Sequence, residues 1–96
     1  MQWASRITAL ADGLRVGNAE LADLIGVDAA TIWRWRQGGE PPSHATQHVV
    51  AALEQIVESS QVEVLFRAIK AHHLKPRTLK FMQLVFHLSS RGRFSK

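Results

Sequence analysis

The chain has 96 residues, of which 46% are hydrophobic, 21% are charged and none is cysteine. This length corresponds to one small domain, and the composition is typical of a globular protein, not of a disordered or fibrous one. The lack of cysteine excludes a disulfide framework, thiolate metal sites and a cysteine nucleophile. Since no apolar run approaches the ~20 residues of a membrane-spanning helix and no secretory leader pattern is present, we expect a cytoplasmic protein without membrane contact.

The net charge of +4 is unevenly distributed along the chain. Up to Ala45 four arginines accompany five carboxylates, whereas from Val62 onward eight cations accompany Glu63 alone. The C-terminal excess of cations indicates nucleic acid or another acidic partner. The alternative is a solvated surface that only promotes solubility.

The spacing of apolar residues predicts an all-α protein, a compact bundle of five to six short helices. The first helix spans residues 3–14, and Gly13 and Gly17 bracket its end. Its predicted core residues lie three and four apart: Trp3, Ile7, Leu10 and Leu14.

Two short helices separated by a glycine follow. The second helix covers residues 18–25, with Asn18 as its capping residue, and Gly26 ends it. Asp28 is placed to cap a third helix over residues 29–37. Glycine and proline pairs directly after residue 37 end this third helix.

Three further helices are predicted in the C-terminal part. The fourth runs from Ser43 to about Glu58, the fifth over residues 60–73, and the last from Thr78 to Ser89. The last segment is apolar almost all round, so a helix there needs covering on two sides. Because its apolar residues also alternate imperfectly with polar ones, a strand is the alternative.

The stretch from Leu21 to Trp35 has the features of two helices crossing at a tight turn. Ala22 permits close approach of the helices, and Gly26 permits a left-handed turn. Asp28 then starts a helix whose N-terminal residues project from the body, which is the geometry that enters a DNA major groove. An ordinary helical hairpin in a bundle is the alternative interpretation.

Residues Asn18 to Ile56 resemble the helix-turn-helix of the Cro and lambda-repressor type. The resemblance rests on the L-A-x-L-x-G-V core, Asp28, the apolar pair Ile32 and Trp35, and the closing Gly38. It covers about 40 residues and implies a phage or prophage regulator or an antitoxin that binds DNA. It also divides the domain into a helix-turn-helix core, residues 1–58, and C-terminal helices with a basic tail, residues 59–96.

The resemblance implies a set of DNA contacts on and near the third helix. Ala29, Ala30, Trp33 and Arg34 fall at base-reading positions, where alanines offer contact with thymine methyls and Arg34 can pair with guanine. Asn18 and Thr31 fall where this family binds phosphate, and the resemblance gives an ion pair to Arg36, for which Asp12 is the candidate partner. The full set of expected DNA-contacting residues is Asn18, Asp28, Ala29, Ala30, Thr31, Trp33, Arg34, Gln37 and His44.

Trp33 and Trp35 project on different sides of the third helix, so both cannot enter one core. Trp35 follows Ile32 by three and is the predicted core residue. Trp33 is then either a DNA contact, a partner of a neighbouring arginine or part of an interface.

Metal binding and catalysis find little support in the sequence. His44 and His48 can share a helix face, but no cysteine and no H-E-x-x-H pattern completes a zinc site. There is no phosphate-binding loop, dinucleotide fingerprint or nucleophile elbow. We therefore expect no cofactor, no metal and no enzyme activity.

The sequence thus predicts a regulator that binds double-stranded DNA at a palindromic operator and represses a phage, prophage or mobile-element operon. Its expected location is the nucleoid of a bacterial cell or phage-infected host. The alternative is an antitoxin or other protein-interaction module that binds a toxin or host protein. A homodimer is expected, because two copies would place two recognition helices about one duplex turn apart. The last helix carries the predicted dimer anchors, which are Phe81, Leu84, Val85 and Leu88, and closure of the protomer's own core is the alternative role for that helix.

Overall fold

A computed structural model describes residues 2–76 and 78–94, with side chains as far as Ser90. Six α-helices and no strand are found in these residues, which confirms the predicted all-α class. The helices are α1 (Trp3–Leu14), α2 (Asn18–Ile25), α3 (Ala29–Arg36), α4 (His44–Glu58), α5 (Val62–Ala71) and α6 (Leu79–Phe94). The last segment is therefore a helix and not the alternative strand.

All six helices contribute to one apolar core. Helix α4 supplies Val50, Leu53 and Ile56, which are fully buried. Helix α1 packs on α3 and α4, and α6 packs on α4 and α5. The pairing of α1 with α3 and α4 fixes the orientation of α3 relative to the rest of the domain.

Helix α1 ends at Leu14 as predicted, but neither bracketing glycine ends it. Arg15, and not a glycine, adopts the left-handed conformation after the last turn, with φ of 60°. Gly13 lies inside the helix, where a Cβ atom would come within 2.7 Å of Cγ1 of Val57. Glycine at position 13 therefore allows α1 and α4 to approach closely, and it does not end the helix.

The capping residues also depart from the prediction at α2. Gly17 occupies the N-cap position, and Asn18 is the first helical residue. Asp28 and Ser43 stand at the expected N-cap positions of α3 and α4, but neither side chain makes a capping hydrogen bond.

The predicted role of α6 as a dimerisation helix needs correction at three of its four anchors. Phe81 and Val85 are completely buried and Leu88 is 2% exposed, all within the protomer's own core. Only Leu84 is partly accessible. The three buried side chains are already covered by the core to which α4 and α5 contribute, so they have no apolar surface left for a second copy.

Candidate nucleic-acid interface

A three-residue turn joins α2 to α3. Gly26 adopts a left-handed conformation with φ of 94°, which glycine accommodates without steric cost. Its amide and that of Val27 both donate to the carbonyl oxygen of Ala22, at 2.8 and 3.0 Å. Asp28 is extended, and α3 begins at the next residue. Because the turn is short and doubly bonded to α2, the start of α3 is held firmly against the preceding helix.

One side of α3 is anchored in the core. Ile32 is fully buried and Trp35 is 5% exposed. The ring of Trp35 meets that of Trp3 edge to face, with centroids 5.4 Å apart and planes at 82°, a favourable geometry for aromatic pairs. The prediction that Trp35 is the core tryptophan is confirmed.

The opposite side of α3 faces solvent. Trp33 is 58% exposed, far more than either of the other two tryptophans. The remaining predicted base-reading residues on this helix, Ala29, Ala30 and Arg34, are exposed as well. The structure therefore brings the four predicted reading residues together on one accessible helical face.

Residues at both ends of α3 extend this exposed surface. Asp28, before the helix, and Gln37, after it, are exposed, whereas Thr31 is half-buried. The guanidinium of Arg34 donates to Oγ1 of Thr31 at 3.0 Å. This bond joins side chains three residues apart on one face and draws Arg34 toward the N-terminal half of the helix.

Arg36 does not pair with Asp12 as predicted. Its Nη1 donates instead to Oδ1 of Asn18 at 2.7 Å, which links the end of α3 to the start of α2. Asp12 makes no ion pair among the described residues. Asn18 is thus a half-buried structural acceptor for Arg36, a role that its place in the sequence did not indicate.

His44 is separated from α3 by the connecting segment 37–43. It is the first residue of α4 and is exposed. The amide of Gln47 donates to the carbonyl oxygen of Pro42 at 2.8 Å and so fixes the segment that leads into α4. No hydrogen bond joins His44 to α3 in the described part of the chain.

A polar cluster behind α3 was missed by the sequence reasoning. Arg6 binds Glu54 through two hydrogen bonds, of 2.6 and 3.1 Å, and joins α1 to α4. The bonds to the Glu54 carboxylate raise the pKa of the Arg6 guanidinium, against the lowering effect of burial. Arg6 also lies 5.1 Å from the ring centre of Trp3. The three-residue spacing of Trp3 and Arg6 is a signal for their shared face, but nothing in the sequence identifies Glu54 as the partner of Arg6.

The N-terminal part of the chain, up to the end of α4, is acidic overall. Residues 1–58 contain four arginines and seven carboxylates, a net charge of −3. Glu20 and Asp23 on α2 are exposed. With Arg36 bound to Asn18, Arg34 is the cation on the outward face of α3, so this face has little charge with which to attract phosphate.

Clusters of metal ligands and membrane-spanning helices are both absent from the described residues. Among residues 2–76 and 78–94, no group of three or more histidine, aspartate or glutamate side chains is arranged to hold a metal ion. No helix in the same residues has the length and apolar character required to span a membrane.

Comparisons with protein-family models, with curated proteins and with solved structures gave no match.

Proposed function

We propose that this protein is a sequence-specific DNA-binding regulator of transcription, a repressor of a phage, prophage or mobile-element operon, that places α3 in the major groove. The observation that carries the proposal is the division of α3 into two sides. Ile32 and Trp35 anchor the helix, while Trp33 and Arg34 point away from the core. A helix that reads base edges requires this combination of rigid support and outward side chains.

The outward face of α3 is suited to recognising thymine and guanine in the DNA major groove. Ala29 and Ala30 offer only methyl groups, and Trp33 adds a large apolar surface. The apolar feature of the major groove is the methyl group of thymine. Arg34 is the group that can donate two parallel hydrogen bonds to guanine O6 and N7. The proposed half-site therefore combines thymines with at least one guanine.

Two of the remaining predicted contacts are assigned to the phosphate backbone in this proposal. Gln37 and His44 are exposed and can donate to phosphate oxygens. Asn18 and Thr31 are already engaged by Arg36 and Arg34. They act mainly by positioning those arginines, which refines the direct phosphate role expected from the sequence.

The proposal includes a homodimer on a palindromic operator, but with different contacts from those first expected. Leu79 is 74% exposed and Phe86 is 40% exposed, seven residues apart on α6. These two side chains replace the buried Phe81, Val85 and Leu88 as the proposed apolar contacts. A Phe86→Ser variant should sediment as a monomer where the unaltered protein sediments as a dimer; a monomeric unaltered protein would contradict this part of the proposal.

A second candidate is favoured by the acidity of residues 1–58. An exposed tryptophan on a surface of net negative charge also suits a protein partner, such as a toxin neutralised by an antitoxin. The two candidates differ in their dependence on salt. DNA binding weakens steeply as salt rises because counterions are released from phosphates, and a protein complex need not show this.

The test of the main proposal is selection from a library of randomised 24-base-pair duplexes. We expect one sequence to be enriched, and the ratio of its affinity to that of a scrambled duplex to fall in Arg34→Ala by about 5- to 150-fold, as for one lost bidentate base contact. Arg67→Ala is the matched control, because Arg67 is an exposed arginine on α5 whose loss should lower the two affinities alike and leave their ratio unchanged. Failure to enrich any sequence, or an unchanged ratio in Arg34→Ala, would contradict the proposal.

A further inference from the structure

A basic surface lies at the corner where α5 turns into α6. It is formed by the last turn of α5, residues 72–75 and the first turn of α6. We call it the α5–α6 basic surface, and its members are Lys70, His72, His73, Lys75 and Lys80. All five side chains are exposed to solvent.

No carboxylate compensates these lysines. From Val64 to the C-terminus the sequence contains no aspartate or glutamate. Glu63, the nearest acid along the chain, is bound by Arg67 one turn away. Among the described residues the ion pairs are Arg67–Glu63 and Arg6–Glu54, so Lys70, Lys75 and Lys80 have no carboxylate within 4.0 Å.

The two parts of the chain carry opposite net charges, and the α5–α6 basic surface belongs to the positive part. Residues 1–58 carry a net charge of −3, whereas residues 59–96 carry eight cations and one carboxylate, a net charge of +7. Lysines that are needed only for solubility have no reason to collect in one part of the chain. A concentrated, uncompensated cationic surface attracts a polyanion and releases its counterions on binding.

We infer that the α5–α6 basic surface binds the phosphate backbone of duplex DNA irrespective of its sequence. This contact supplies the electrostatic affinity that the acidic N-terminal part lacks. Anionic lipid is the less suitable polyanion, because Phe81, Val85 and Leu88 of α6 are buried in the core, and the exposed pair Leu79 and Phe86 is assigned to the proposed dimer contact. The inference does not depend on base reading by α3.

The experiment measures affinity for a scrambled 24-base-pair duplex by fluorescence anisotropy as a function of salt. The triple variant Lys70→Gln, Lys75→Gln, Lys80→Gln is compared with its matched control Lys70→Arg, Lys75→Arg, Lys80→Arg, which retains the charge. Each lysine that neutralises a phosphate contributes about 0.9 to the slope of log K against log salt, so the glutamine variant should lose up to about 2.7. Between 50 and 200 mM salt the unaltered protein should then lose about 40-fold more affinity than the glutamine variant. The arginine variant should match the unaltered protein.

A single substitution that should strengthen DNA binding, instead of weakening it, completes the test. Glu63→Gln removes the carboxylate that engages Arg67 and should tighten binding to the scrambled duplex. An unchanged salt slope in the glutamine variant, or binding to phosphatidylserine vesicles without binding to the duplex, would overturn the inference. Neither result bears on the enriched sequence or on the Arg34→Ala ratio, so failure here is distinct from failure of the proposed function.

Discussion

Truncation of the two tryptophans of α3 should have opposite consequences for stability and binding. Trp35 is 5% exposed and packs edge to face on Trp3, so Trp35→Ala leaves a large cavity between α1 and α3. Such truncations cost about 3 to 5 kcal/mol, a large share of the ~5 to 15 kcal/mol that stabilises a domain. Trp33 is 58% exposed, so Trp33→Ala should change the free energy of unfolding by no more than about 0.5 kcal/mol.

The assay is thermal unfolding followed by far-ultraviolet circular dichroism, which is insensitive to the loss of a fluorescent side chain. For a domain of this size 1 kcal/mol shifts Tm by about 4 to 8 °C, so Trp35→Ala should melt at least ~12 °C lower than the unaltered protein. Trp33→Ala should melt within a few degrees of it, yet lose affinity for the selected duplex. A normal Tm in Trp35→Ala together with a lowered Tm in Trp33→Ala would refute the assignment of inner and outer sides to α3.

Three further outcomes follow from individual contacts. Gly13→Ala should lower the free energy of unfolding by about 1 kcal/mol, because overpacking against Val57 outweighs the gain in helix propensity. In a chain that already carries Val57→Ala, the same substitution should cause no such loss, as measured by urea unfolding. Asn18→Ala should cost about 1 kcal/mol, since it removes the acceptor of Arg36; an unchanged midpoint in urea would show that this bond contributes nothing. Replacing thymine by uracil at the position that contacts Trp33 should weaken binding about fourfold, the effect of ~0.8 kcal/mol for one buried methyl-sized group, and Trp33→Ala should abolish that difference.

Much of the fold could be predicted from the sequence because helical periodicity is local. The spacing of Ile32 and Trp35 placed one side of α3 in the core, and the position of Trp33 relative to Trp35 placed its ring outside. Gly26 marked the turn before α3, since a left-handed residue is needed there. These conclusions depend only on residues within one or two turns of each other, whose relative directions are set by the geometry of a helix.

The contacts between distant residues were decided only by the tertiary structure. The partner of Arg36 is Asn18 and not Asp12, and Arg6 binds Glu54 from 48 positions away along the chain. The apolar surplus of α6 indicated a helix that needs covering, and the sequence prediction assigned Phe81 and Val85 to a contact with a second copy, whereas the chain's own helices cover them. Helical spacing fixes which residues share a face, whereas the choice of the opposing face depends on how whole helices cross. That choice is made by the summed packing of the core and is not encoded in any short stretch of the chain.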